Sequence, residues 1–152
     1  GLTLRLRVPT LPYGPSIAKL VAAQLREVGI EVNVEELDFS TWLSQVYTQH
    51  DYDMTVVAHV EPWDLPQFAN PNYYWQYNNP QFAELINKAD AAATNTEQET
   101  TLKEAAKLLA DDAAADWLFL LPNLVVTTTE ISGITTNTTG LSFDMTHVAT
   151  SR

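Results

Sequence analysis

An α/β domain with a mostly parallel sheet and flanking helices is the fold class this sequence predicts, and three observations predict it. Leu2, Leu4, Leu6 and Val8 alternate with Thr3, Arg5 and Arg7, the period of two that marks a half-buried strand. An apolar stripe of Ile17, Leu20, Val21, Leu25 and Val28 follows at helical spacing, and Ile30 to Val34 alternates again. Strand, helix and strand in that order require two parallel strands joined by a right-handed crossover.

The elements follow one another without a repeat or a low-complexity linker. Pro9, Pro12, Gly14 and Pro15 break the first strand (residues 2–8) into a loop. Pro15 suits the first turn of a helix over residues 16–28, and Gly29 suits the left-handed position that ends it. A second strand spans residues 30–35. Asp38 or Ser40 can cap a short helix carrying Trp42, Leu43, Val46 and Tyr47. A third strand, residues 54–58, is expected in the same parallel sheet, with helices 16–28 and 80–92 covering it.

From His59 to Asn79 the regularity stops. Pro62, Pro66 and Pro71 punctuate a stretch that carries Trp63, Phe68, Tyr73, Tyr74, Trp75 and Tyr77. A loop this long in a compact domain is usually functional or disordered, and its aromatic load speaks against disorder. Asn79-Pro80 then opens a helix with Phe82, Leu85, Ile86 and Ala89 inward. Thr96-Glu97-Gln98-Glu99 reads as a capping box for the next helix, with Leu102, Ala105, Ala106 and Leu109 inward and a Glu99–Lys103 pair outside. Residues 116–121 and 124–128 read as strands, turned by Pro122-Asn123, and residues 131–139 as short strands or loops. The order β-α-β-α-β-loop-α-α-β-β describes a single domain over residues 1–152.

Composition narrows the function. The chain has 152 residues, 45% of them hydrophobic and 18% charged, a globular balance long enough to bury a core unaided. A formal net charge of −11 argues against nucleic acid and against a polybasic membrane patch, since both need clustered Lys and Arg. With no cysteine there are no disulfides and no thiolate chemistry. An alternating strand at the first residue, with no basic-then-apolar leader before it, points to a chain cut from something longer.

Candidate sites gather in the aromatic loop. His59, Glu61 and Asp64 offer imidazole and carboxylates that could ligate a metal, but the pattern is short, and no metal or other cofactor is expected. No G-x-S-x-G elbow, H-E-x-x-H helix or glycine-rich phosphate loop occurs, so the chain is read as a non-enzyme. Asp51 and Asp53 form a carboxylate pair, a type normally solvated. The loop follows the carboxyl end of the third strand, where open α/β sheets place ligands. Rigid aromatic faces there can either line a cleft or seal the sheet edge.

Four segments resemble one known family in collinear order. Residues 15–32, running from Pro15-Ser16-Ile17 through Val28-Gly29-Ile30 to Val32, resemble the helix, Gly-Ile and strand passage of the dipeptide, oligopeptide and nickel solute-binding proteins of ABC importers. Tyr77-Asn78-Asn79-Pro80-Gln81 resembles that family's Tyr-x-Asn-Pro-Glu helix start, and residues 108–121, with Asp116-Trp117 before Leu118-Phe119-Leu120-Leu121, its late helix and apolar strand. Gly140-Leu141-Ser142-Phe143-Asp144 is similar to its closing segment.

The resemblance implies a periplasmic-binding-protein type II lobe, the carboxy-terminal ligand-binding lobe of a larger two-lobed protein. It implies a short peptide or related solute as ligand, an amino-terminal lobe of the same protein as partner, and delivery to a membrane permease. It also implies an extracytoplasmic location, in the periplasm or on the outer face of the cell membrane as a lipoprotein. Where the family carries Gly-Trp-x-x-Asp, this chain reads Ala58-His59-Val60-Glu61-Pro62-Trp63-Asp64-Leu65-Pro66. Asp64 is the positional match for the carboxylate that holds a peptide's amino group, and Glu61 is second. The ligand-binding residues expected are therefore Asp64, Glu61, Trp63, His59, Tyr73, Tyr74 and Trp75. A rival reading is a free-standing carbohydrate-binding or adhesion module that stacks sugars on loop 63–77, through Tyr73, Trp75 and Tyr77.

Overall fold

The computed structural model describes residues 1–122, 124–136 and 144–151. Strand β1 (Leu2–Pro9) is the centre of a three-stranded sheet in the order β2-β1-β3. Strand β2 (Ile30–Leu37) runs parallel to it along its whole length, from Leu2 opposite Ile30 to Pro9 opposite Leu37. Strand β3 (Met54–Thr55) pairs with Leu6 and Arg7 on the other side, also parallel. The parallel sheet expected from the alternation is the one observed. Strand β3 is shorter than residues 54–58, because the chain leaves the ladder: the Ala58 N–H donates to the Tyr13 hydroxyl at 2.7 Å instead.

Helix α1 (Gly14–Glu27) is the crossover. It lies on the sheet through Ala18 and Ala22, which join Leu6, Val8 and Val32 in one buried cluster. The small residues let the helix axis approach the strands. The stripe is therefore rotated from the one the larger residues suggested: Val21 and Leu25 pack inward, while Leu20 and Val28 are exposed. Gly14 marks the tightest approach, since a Cβ there would lie 2.3 Å from the Pro9 carbonyl oxygen. Gly29 ends the helix at φ +84°, in the left-handed region.

The other face of the sheet is ionic. Arg7 donates to Glu35 at 2.7 Å and to Asp51 at 2.8 Å, and Arg5 donates to Asp51 at 2.8 Å. The Arg5 backbone N–H donates to Asp53 at 2.7 Å. The two acids before β3 thus pin that short strand to β1. They are structural ion-pair partners, and Asp51 is held below the usual carboxylate range, mainly by its hydrogen bond from Arg5.

Asp38 caps helix α2 (Phe39–Trp42), accepting from the Thr41 N–H at 3.0 Å and the Ser40 hydroxyl at 2.6 Å. These bonds, Ser40's first, hold its carboxyl at about 2. The chain then widens into a π-helical turn over Leu43–Thr48, a local distortion often found beside functional sites. The buried Trp42 and Val46 pack there with Tyr74 as a second cluster.

Helix α3 (Pro80–Asp90) starts on Asn79, whose side chain accepts from the Gln81 and Phe82 N–H groups. Helix α4 (Asn95–Asp111) starts on Thr94. Its capping box is Thr94 with Glu97, each side chain bonded to the other's N–H at 3.2 Å, two residues ahead of the Thr96 frame. Thr96 lies inside the helix, where its carbonyl accepts from Thr100. The Glu99–Lys103 pair forms at 2.6 Å. Helix α3 does not cover the sheet as expected. Its Phe82 and Ile86 pack with Ala105 and Leu109 of α4 and with Phe68 from a 3₁₀ turn (Leu65–Ala69), a third cluster of its own.

Among the described residues, 116–121 and 124–128 join no ladder, so the two strands expected there do not form; Asn123 lies outside the described residues. An apolar strand needs both a hydrogen-bonded neighbour and a covered face; among the described residues these segments lack the first, and much of the second is missing, Leu120 being 96% and Val126 94% exposed. Strand β4 (Ile131–Ser132) pairs antiparallel with β5 (Ala149–Thr150). The closing Gly140 to Phe143 likeness lies outside the described residues.

Candidate functional site

The segment after β3 passes over the carboxyl edge of the parallel sheet and folds back on itself through His59. The His59 Nδ1 lies 2.6 Å from an Asp64 carboxylate oxygen, and Nε2 lies 2.7 Å from the Tyr74 hydroxyl. A carboxylate only accepts, so in the neutral ring Nδ1 carries the proton and Nε2 accepts from Tyr74. Burial keeps that phenol protonated by pushing its titration far up. The His59 and Tyr74 rings are nearly parallel, their planes 13° apart and their centroids 5.8 Å apart. Trp75 leans against the imidazole at 5.3 Å.

Behind this chain of bonds stands an aromatic wall. Trp42 meets Tyr74 edge to face at 5.7 Å, Tyr47 meets Tyr73 edge to face at 5.6 Å, and the Tyr52 hydroxyl donates to the Tyr74 carbonyl at 2.5 Å. Burial, helped by Tyr47, pushes Tyr73 up to about 12. Trp75 stacks flat on Phe68, centroids 3.9 Å apart and planes 9° apart. Its indole N–H is buried without an acceptor among the described residues.

The structure therefore brings together five of the seven residues singled out: His59, Asp64, Tyr73, Tyr74 and Trp75. Tyr74 is buried at 6% exposure, so it serves as support. Glu61 is exposed and apart from the bonded group. Trp63 is 72% exposed and turns toward α4, where it lines an open groove of about 410 Å³ with Asn95, Gln98, Glu99, Leu102, Lys103 and Ala106. That groove is separate from the His59–Asp64 pair, and the polar chemistry is at the pair. Both imidazole nitrogens are engaged, and among the described residues no three metal-ligating side chains converge. Tyr77 belongs to the scaffold, its hydroxyl donating to Asp112 at 2.6 Å and its ring meeting Phe82 edge to face.

Trp42 and Tyr47, which hold the wall upright, were foreseen only as residues of a short helix. The π turn that aims Tyr47 at Tyr73 has no simple sequence signature.

The fold is that of a type II periplasmic-binding-protein lobe, an α/β sheet with parallel strands. Its solved likenesses are peptide- and oligopeptide-binding proteins. The murein tripeptide binding protein MppA of Escherichia coli superposes with a TM-score of 0.67 at 19% identity, over 74% of this chain and 24% of that one. A dipeptide binding protein from Pseudoalteromonas sp. SM9913, in complex with Met-Leu, gives 0.69 at 14% identity over 99% of this chain and 32% of that one. A periplasmic oligopeptide-binding protein from Thermotoga maritima, bound to mannohexaose, gives 0.59 at 18% identity over 75% and 24%. The chain spans about a quarter to a third of the length of these structures. No protein-family profile and no curated protein matches the sequence.

Proposed function

We propose that this chain is the carboxy-terminal ligand-binding lobe of a two-lobed solute-binding protein, and that it holds a short peptide by its ammonium group at Asp64. The observation that carries the reading is the Asp64 carboxylate itself. It stands at the ligand-bearing edge of a parallel sheet, 22% exposed, with one oxygen fixed by His59. A carboxylate so oriented is suited to a charge-assisted contact with a buried ammonium.

The apolar ribbon supports the second lobe. Leu118, Phe119, Leu120, Leu121, Leu124 and Val126 are all exposed, a run that soluble chains normally cover. We assign that cover to an amino-terminal lobe, the ligand being enclosed when the two lobes close. Delivery to a permease and an extracytoplasmic, lipid-anchored setting belong to the same reading. Among the described residues no helix is long and apolar enough to cross a membrane. The role is binding rather than catalysis: the group facing the His59 Nε2 is a buried phenol, and the structural likenesses are binding proteins.

Native mass spectrometry of the full-length protein purified from its host tests this. Short peptides, lost on denaturation, are expected. A bound oligosaccharide would favour the second reading, for which one structural likeness holds mannohexaose and Trp63 presents a free aromatic face. The loop's other aromatics fit sugar stacking poorly, since Trp75 is covered by Phe68 and Tyr77 is tied to Asp112.

A further inference from the structure

We propose that His59 is the positioning residue for the Asp64 carboxylate, and that protonation of its ring releases the ligand's ammonium, so that peptide binding is lost in acid. The inference rests on the peptide-lobe reading and adds a regulator to it.

The geometry sets up the competition. A neutral His59 spends its one N–H on Asp64 and takes a hydrogen bond from Tyr74. The carboxylate keeps its full negative charge and its second oxygen for a ligand cation. A protonated ring changes both ends. The imidazolium neutralises Asp64 at 2.6 Å, leaving little attraction for an ammonium. Its new Nε2–H points at the Tyr74 hydroxyl, which must turn its own proton away from its only ring-nitrogen acceptor. The hydroxyl can rotate to accept instead, so the loss of attraction at Asp64 carries the effect.

The groups facing the imidazole can be named from every side. Asp64 comes from the turn before the 3₁₀ segment, and Tyr74 and Trp75 from the segment after it. Tyr47, Tyr52 and Tyr73 stand behind Tyr74, and burial pushes the Tyr52 and Tyr73 phenols up. Among the described residues, Asp64 is the carboxylate that touches the ring, and no cation does. Ligand ammonium and imidazolium therefore compete for a single charge. By linkage, each weakens the other by the same factor.

The test uses calorimetry on the full-length protein with tri-alanine and N-acetyl-tri-alanine as probes, between about pH 7.5 and about pH 5.5, the range in which imidazoles change charge. Tri-alanine affinity should fall about tenfold or more toward acid. His59→Asn keeps an amide donor near the Nδ1 position and cannot titrate. Whatever its affinity at neutral pH, it should show a flat profile between the two pH values, while His59→Ala should bind weakly throughout. An acid loss that persists in His59→Asn overturns the inference. If tri-alanine fails to bind, or binds no better than its acetylated form at neutral pH, the ammonium reading itself falls. Nitrogen-15 NMR of the ligand-free protein gives an independent check: the neutral ring should be the Nδ1–H tautomer, and an Nε2–H tautomer contradicts the positioning role.

Discussion

Phe68 and Trp75 lie face to face, their ring centroids 3.9 Å apart and their planes within 9°. This contact joins the candidate site to the helical pair. Phe68 is buried against Phe82, Ala105 and Leu109 of the α3–α4 core, while Trp75 leans on His59. The loop that carries Asp64 is thereby anchored at both ends, on Tyr13 in the turn after β1 through Ala58 and on the helices through Phe68.

Phe68→Ala should remove that anchor. Truncating a buried aromatic costs about 3–5 kcal/mol, so the denaturant midpoint should drop clearly. Phe68→Leu, which keeps most of the volume, should lose much less. Equal losses for the two would mean the stack is incidental.

The capping frame of α4 gives a sharper comparison. Thr94→Ala removes the oxygen that accepts from the Glu97 N–H and should destabilise the fold by about 1 kcal/mol. Thr96→Ala, one residue inside the helix start, should be near neutral. A reversed order in chemical denaturation would restore the Thr96 frame.

Acid should weaken the fold through Asp38 and Asp51, whose carboxyls are both held below their ordinary range. A depressed folded-state value means the contribution is complete above the unfolded value, about 3.9. It is lost as pH falls through the folded one, which for Asp38 is about 2. Stability measured against pH should therefore decline below about pH 4. Asp51→Asn should flatten part of that decline while lowering stability at neutral pH, because Arg5 and Arg7 lose their shared partner.

The apolar ribbon should make this chain sticky when it is alone. Leu120→Asn with Val126→Thr is expected to reduce binding of a hydrophobic dye without shifting the melting temperature, since both side chains lie in solvent. A fall in melting temperature would show that they already pack.

Legibility in the sequence followed locality. The sheet was readable because Leu2 to Val8 and Ile30 to Val34 carry their own period, and the crossover helix between them leaves a single handedness. Asn79 and Gly29 announced helix ends by local chemistry alone. What depended on distant neighbours was not readable. The face of α1 turned on Ala18 and Ala22, residues too small to register as a stripe. The ribbon 116–128 has strand composition, yet a strand exists only where a partner meets it. In the site, Asp64 and His59 stood out as residue types in an irregular loop. Their bond to each other, and Tyr74's burial behind them, come from the loop folding back, which no spacing records.

The most direct measurement of the central claim is calorimetric titration of tri-alanine into the full-length protein and its Asp64→Asn and Glu61→Gln variants at neutral pH. Asp64→Asn keeps an acceptor for His59 but removes the charge, and should cost about tenfold or more in affinity, about 1.4 kcal/mol, with little change in melting temperature. Glu61→Gln should bind as the wild type does. Unchanged affinity in Asp64→Asn would contradict the account, and a loss confined to Glu61→Gln would mean that the ammonium is held by the other acid.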